Sequence, residues 1–270
     1  MKTLLAIVAF CAAATAVLGF LGYLPKIFDA VKGLYFRTPL GIKRRFYKRL
    51  RRLSPDVQLD YFSDTLGLTP FFRNTRGEFS EHVYVHKLFY LQALVDEQGT
   101  VVSYGVTTRS SDFTPAIWPH NLHPETVPMI PNLQLGRFSF SEVHLDPEEI
   151  NGWVGARRFG YSESFYTGNP GLYRHYILGI NDAGSTNLDW IRDLDRLIPP
   201  KSGPLLKVDR KTDWDDVTRF LERDDVDAFR KAARPNTYGV TKAHFSWSGT
   251  DGSSIPPTGP DADQVRTLNE

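Results

Sequence analysis

His82-Val83-Tyr84-Val85-His86-Lys87-Leu88-Phe89-Tyr90-Leu91-Gln92-Ala93-Leu94-Val95 is the stretch that decides the fold, with Asp96-Glu97-Gln98-Gly99 and the return over residues 101–108. Val83, Val85, Phe89, Leu91, Ala93 and Val95 recur with a period of two, and only Lys87 interrupts the row. That pattern predicts a β-strand over 82–95. The four polar and glycine residues 96–99 read as a turn, which makes 101–108 the second arm of a hairpin.

Working outward, the segment just upstream changes period. Ser54 can cap a helix and Pro55 suits its first position. Val57, Phe62 and Leu66 supply a buried stripe, and Gly67 ends the helix. A helix followed by a meander predicts an α+β domain, an antiparallel sheet with covering helices.

Downstream, Pro115, Pro119, Pro124, Pro128 and Pro131 break residues 109–131 into a long loop, of a kind that carries function or separates two subdomains. Strands are expected around 136–143, 159–166 and 172–180. Gly168-Asn169-Pro170-Gly171 and Asn181-Asp182-Ala183-Gly184 mark the turns of this second hairpin. Helices are expected over 187–198, 212–221 and 225–233. The soluble domain therefore runs 54–245, with hairpin-centred halves at 54–110 and 132–245. Residues 246–270, rich in Gly, Ser, Pro and Asp, read as a disordered tail.

The N-terminus is of another kind. Residues 3–24 hold no charged side chain, and as a helix they reach about 33 Å, enough to cross a hydrocarbon core of about 30 Å. Residues 1–24 are read as a transmembrane anchor. A cleaved signal peptide is the competing reading, with Ala14-Thr15-Ala16 as its cleavage site, although Val17-Leu18-Gly19-Phe20-Leu21 stays apolar beyond it. A lipoprotein centred on Cys11 would need a small residue where Phe10 stands.

Residues 25–53 form a basic juxtamembrane linker and helix, with Ile42, Phe46, Leu50 and Leu53 at helical spacing. Lys43, Arg44, Arg45, Lys48, Arg49, Arg51 and Arg52 fill its other face and suit anionic lipid headgroups, at about 1 kcal/mol per close basic residue; a solvated helix that packs its apolar stripe on the domain is the alternative reading of the same pattern. Positive charge beside a span stays cytoplasmic, which puts the domain in the cytosol. Residues 1–53 carry 11 basic side chains and one acidic, leaving 21 and 30 for the remainder. An acidic body argues against a general nucleic-acid binder.

Hydrophobic residues at 41% and aromatics at 13% exclude a largely disordered chain. Cys11 is the single cysteine, so the domain has neither thiol catalysis nor a thiolate metal cluster. Nucleophile elbow, phosphate loop and dinucleotide fingerprint are all missing from the sequence. His82 and His86, i and i+4 on one strand, would stand about 13 Å apart. His120 and His123 lie in the proline-rich loop without a third ligand at suitable spacing. No metal and no cofactor is expected.

Lys87-Leu88-Phe89-Tyr90-Leu91-Gln92-Ala93, Val106-Thr107-Thr108-Arg109, the run 161–171 and Asn181-Asp182-Ala183-Gly184 together resemble the bacterial ETEC-type domain family. Its members have an N-terminal span and then one domain, so the resemblance covers most of the chain. It implies attachment to the bacterial inner membrane and carries no activity.

Thr107, Arg109, Glu163, Asn169 and Asp182 are the candidate ligand-binding residues. Thr107 and Arg109 would rim a pocket with the loop that follows. Glu163 is an acid in an aromatic row with Tyr161 and Phe165, placed for a perturbed carboxyl or for an ion pair with Arg157 or Arg158. Asn169 and Asp182 sit in turns that their side chains also explain. The expected function is non-enzymatic: a single-pass membrane protein with a cytosolic domain that binds or senses a protein or small-molecule ligand. A hydrolase using Glu163, Asp182 or the loop histidines and an exported envelope-assembly factor are the alternatives.

Overall fold

The period-two row of residues 82–95 folds into a sheet, but as two strands joined by a tight turn. The computed structural model describes residues 32, 34, 35, 37–76, 78–116, 133–154, 159–168, 173–185, 191–197, 205–209, 214–242, 259, 260, 262 and 265. The apolar run 3–24, with Cys11, lies outside them. Among the described residues no helix is long and apolar enough to cross a membrane.

Residues 1–48 and 49–270 are separate compact units. Helix α1, Pro39–Leu50, begins where Thr38 Oγ1 accepts the Gly41 N–H at 3.1 Å. Lys43, Arg44, Arg45 and Lys48 are exposed or half-exposed along it, while Phe46 and Leu50 are buried.

In the second unit, β1 (Val57–Gln58) pairs with the strand that follows the hairpin turn, and helix α2 runs Leu59–Leu66. The helix expected from Ser54 therefore starts later. Asp56 takes a left-handed φ of 66° and its N–H donates to Val101 O at 2.8 Å, which ties residues 56–58 to the sheet. Asp56 also binds Arg174 at 2.7 Å and Lys242 at 3.2 Å. Gly67 ends α2 in the left-handed conformation, as the sequence predicts, and the Arg49 guanidinium donates to the terminal Leu66 carbonyl.

The strands are β2 (Phe72–Arg76), β3 (Phe79–Val85), β4 (Phe89–Val95), β5 (Thr100–Thr108), β6 (Glu149–Val154), β7 (Phe159–Thr167), β8 (Arg174–Asn181), β9 (Leu205–Asp209) and β10 (Thr237–Lys242). Three more helices, α3 (Ile191–Leu197), α4 (Trp214–Leu221) and α5 (Asp224–Ala232), follow β8. All pairings are antiparallel, in the order β2-β3-β4-β5-β10-β8-β7-β6-β9. Two meanders, β3-β4-β5 and β6-β7-β8, are thus joined into one sheet by β10, which lies between β5 and β8.

Four further expectations change. His86 and Phe89 exchange both backbone hydrogen bonds, at 3.0 and 3.2 Å, which makes Lys87 and Leu88 turn residues. Val83 then pairs with Gln92 and Tyr84 with Leu91, so Val83 and Val85 face away from Phe89, Leu91 and Ala93. His82 and His86 share no strand face, since His86 has left the strand. The strand expected over 136–143 is a turn and a 3-10 helix, Phe140–Glu142, because Ser139 and Glu142 close a capping box. The tail is not wholly disordered either: Ala262 and Val265 are each 1% exposed, packed on the sheet domain.

Each face of the sheet has its own chemistry. One carries Tyr84, Leu91, Tyr104, Val106, Tyr238 and Tyr161 and lies under the helices. Phe62 of α2 meets Tyr104 edge-on at 5.3 Å, and Phe229 of α5 meets Tyr161 at 4.7 Å. Each such pair adds about 0.5–1.5 kcal/mol beyond its burial. The Tyr84 and Tyr104 hydroxyls are satisfied by Ser63 Oγ at 2.9 Å and Leu53 O at 3.0 Å. The opposite face is also buried, and it mixes apolar Val83, Tyr90 and Ile177 with the small polar residues Ser103, Thr107, Thr237 and Thr241.

Candidate functional site

On that second face the central strands carry a floor of small residues. Thr107 pairs with Thr237, Gly105 with Gly239 and Ser103 with Thr241, all of them buried. Side chains of paired residues point the same way, so the hydroxyls meet across the strands: Thr107 Oγ1 and Thr237 Oγ1 at 2.8 Å, Ser103 Oγ and Thr241 Oγ1 at 2.9 Å. Such a surface is neutral and self-satisfied, and it lets another backbone approach closely.

One corner of the floor is occupied. Gly259 N–H donates to Gln92 Oε1 at 3.2 Å, and the Asn181 carboxamide donates from Nδ2 to Pro260 O at 3.2 Å. Gln92 is held in that orientation because its Nε2 donates to the buried Glu81 carboxylate. Asn181 is held by Asn236, whose Oδ1 accepts Asn181 N–H and whose Nδ2 donates to Asn181 O, both at 2.8 Å. The second end of the Asn181 side chain, Oδ1, accepts Ala183 N–H at 2.8 Å and closes the turn.

Two glycines make the fit possible. Gly259 has φ +105°, and a Cβ there would lie 2.1 Å from Thr107 Oγ1. At Gly184 a Cβ would lie 2.6 Å from Thr107 Cγ2 and 2.9 Å from Thr108 O. The turn 181–184 and the C-terminal segment both rest on Thr107 through bare backbone.

Of the residues singled out in the sequence, Thr107 is at the centre of this corner and Asp182 lies in the turn beside it. Arg109 stands at the edge. Its guanidinium carbon is 4.5 Å from the centroid of the Tyr90 ring, and it donates to His86 O at 3.1 Å. His86 Nδ1 accepts the Leu88 N–H at 3.3 Å, which requires the neutral ring. Burial, with Lys87 and Arg109 nearby, lowers its pKa to about 4.

Glu163 lies on the other face. It pairs with Leu178, three residues before the end of β8 at Asn181, whereas Asp182 lies in the turn beyond that strand. Fully buried, its carboxylate accepts Arg230 Nε at 2.7 Å, an Arg230 terminal nitrogen at 3.1 Å and Tyr161 OH at 2.8 Å. Burial pushes the Glu163 carboxyl up, while Arg230 and then Tyr161 hold its charged form. Its ion-pair partner is thus Arg230 of α5; Arg157 and Arg158 lie outside the described residues. The same burial, with Glu163 beside it, raises the Tyr161 hydroxyl well above its ordinary value.

Asn169, His120 and His123 lie outside the described residues. Among those that are described, no group of three His, Cys, Asp or Glu converges to hold a metal ion. Gln92, Asn236 and Gly259 were not candidate site residues in the sequence; Thr107 and the Asn181-Asp182-Ala183-Gly184 turn are the expected features that fall at this corner.

Comparison of the chain with family models, curated proteins and solved structures gave no match.

Proposed function

We propose that this chain is a single-pass protein of the bacterial inner membrane, whose cytosolic domain binds or senses a ligand without turning it over. The observation that carries the binding reading is the corner at Thr107, where a backbone is read by the amides of Gln92 and Asn181 over a floor of mutually bonded hydroxyls. That arrangement selects by close approach and main-chain hydrogen bonding. Supporting the membrane reading are the uncharged run 3–24, the basic collar from Lys43 to Arg52 and the family resemblance, which implies a span.

The hydrolase alternative draws less support, because Glu163 is engaged by Arg230 and Tyr161 on the helix-covered face and stands apart from Asp182. The test is thermal melting of the full chain with defined pools of nucleotides, sugars, amino acids and short peptides. A ligand at 100 times its Kd adds about 2.7 kcal/mol to the native state and raises the midpoint accordingly. Substrate turnover that disappears in Glu163→Gln with folding intact would replace this reading by the hydrolase.

A further inference from the structure

The corner at Thr107 has the construction of a peptide site, and the chain's own C-terminal segment sits in it. Gln92 and Asn181 both address the main chain of that segment: one accepts a backbone N–H, the other donates to a backbone carbonyl. Both amides are oriented from within the domain, Gln92 by the Glu81 carboxylate and the Asn181 side chain by the Ala183 N–H that its Oδ1 accepts. Reading a main chain with fixed polar groups is one way in which peptides are recognised, and here it applies to Gly259 and Pro260.

Specificity comes from two further features. Only glycine fits at 259, by its φ of +105° and by its approach to Thr107. Beyond Pro260, Ala262 and Val265 fall three apart in helical conformation and are both buried; Val265 packs on Val83 and Tyr90, with Val85 and Ala183 beside them. The anchor is small, two short apolar side chains and two main-chain hydrogen bonds, whereas the sheet beneath is held by continuous strand pairing.

We infer that Gly259, Pro260, Ala262 and Val265 are an intramolecular ligand occupying a peptide-binding site, and that a protein partner presenting Gly-Pro-x-Ala-x-x-Val displaces them. This deepens the binding reading above and rests on it. Residues 243–258 join β10 to Gly259 in the sequence, so the segment competes intramolecularly and the resting protein is closed to weak competitors.

The experiment uses the full chain and a fluorescent peptide of residues 256–270. Gly259→Ala expels the chain's own segment by its clash with Thr107 and leaves the site vacant for the glycine-containing peptide. The G259A chain should bind that peptide saturably and at least about 10-fold more tightly than the wild type does, because the cis competitor is gone. It should keep the wild-type circular dichroism and a cooperative melt. A peptide carrying the same Gly→Ala change should bind neither chain. In wild-type protein, hydrogen exchange at the Gly259 amide should be at least about 100-fold faster than at Gly239 in β10, since local opening frees the segment without unfolding the sheet. Equal peptide binding by the two chains, no binding by a folded G259A chain, loss of the fold in G259A, or Gly259 protection equal to Gly239 would each overturn the proposal. A stabilising small molecule that leaves the peptide unbound sinks only this proposal, whereas turnover lost in E163Q sinks the binding reading itself.

Discussion

Asn236 completes the backbone of Asn181 as a neighbouring strand would: its side-chain carboxamide accepts the Asn181 N–H and donates to the Asn181 carbonyl, both at 2.8 Å. Asn236 Oδ1 also accepts the Thr237 hydroxyl at 2.9 Å, which links the pair to Thr107. The end of β8 thus stays paired where β10 begins, and the Asn181 side chain is left to close the turn and hold Pro260. One amide sets the geometry of the whole corner.

Replacing Asn236 by Ala removes that partner and leaves a buried N–H and C=O at Asn181 unsatisfied. Each such group costs about 1–3 kcal/mol, so urea unfolding of Asn236→Ala should show a loss of about 2–4 kcal/mol. Asn236→Asp, which keeps the acceptor but sets a buried charge against the Asn181 carbonyl, should lose at least as much. A loss below about 0.5 kcal/mol would mean that other groups satisfy Asn181.

The Glu163–Arg230 pair is structural in this account. Glu163→Gln or Arg230→Met alone leaves the other charge buried without its ion partner and should cost about 3–5 kcal/mol. The double change Glu163→Leu with Arg230→Met should lie closer to the wild type than either single change. A double-mutant cycle in denaturant checks this, and additive losses would deny the coupling.

His86 makes stability depend on pH. Its pKa is about 4 in the folded protein against an ordinary 6.5, so below pH 6.5 the unfolded chain takes up a proton that the native state refuses. The stabilising contribution is full above pH 6.5 and is lost as the pH falls toward 4. His86→Gln should lack this component of the acid loss, seen as a flatter midpoint-against-pH curve across that window. Identical curves for the two proteins would remove His86 from the explanation.

Gly160 lies under the Trp153 ring, its partner on β6, and a Cβ at 160 would come within 2.0 Å of that ring. Gly160→Ala should therefore destabilise by about 1–3 kcal/mol, as overpacking does. Adding Trp153→Ala should make the extra methyl tolerable, so that thermal midpoints of the double variant and of Trp153→Ala alone nearly coincide.

The α+β class and the hairpin of residues 89–108 were legible because alternation and turn chemistry act locally. So were the stop at Gly67 and the helix at residues 224–232. The turn at Lys87 and Leu88 was not, since a two-residue connection lets the period-two row continue on either side of Lys87 while it reverses the faces. β10 escaped notice because Thr237, Gly239 and Thr241 alternate with only Tyr238 and Val240; what makes it the central strand is pairing with β5 and β8 far along the chain. In β6, Asn151 and Gly152 mask the strand pattern. The site follows the same rule. Asn181-Asp182-Ala183-Gly184 could be read as a turn, but Asn236 is 55 residues from Asn181 and Gly259 is 167 from Gln92. No local signal connects them.

Topology tests the central claim most directly, that a binding domain is held at the cytosolic side of a membrane. A reporter active only in the cytosol, fused after Glu270, should be active in membrane-fractionated cells, with its mate that is active only outside remaining silent. Activity of the outside reporter, with the protein shortened at its N-terminus, would contradict that orientation, restore the cleaved-signal reading and make envelope assembly the function to pursue.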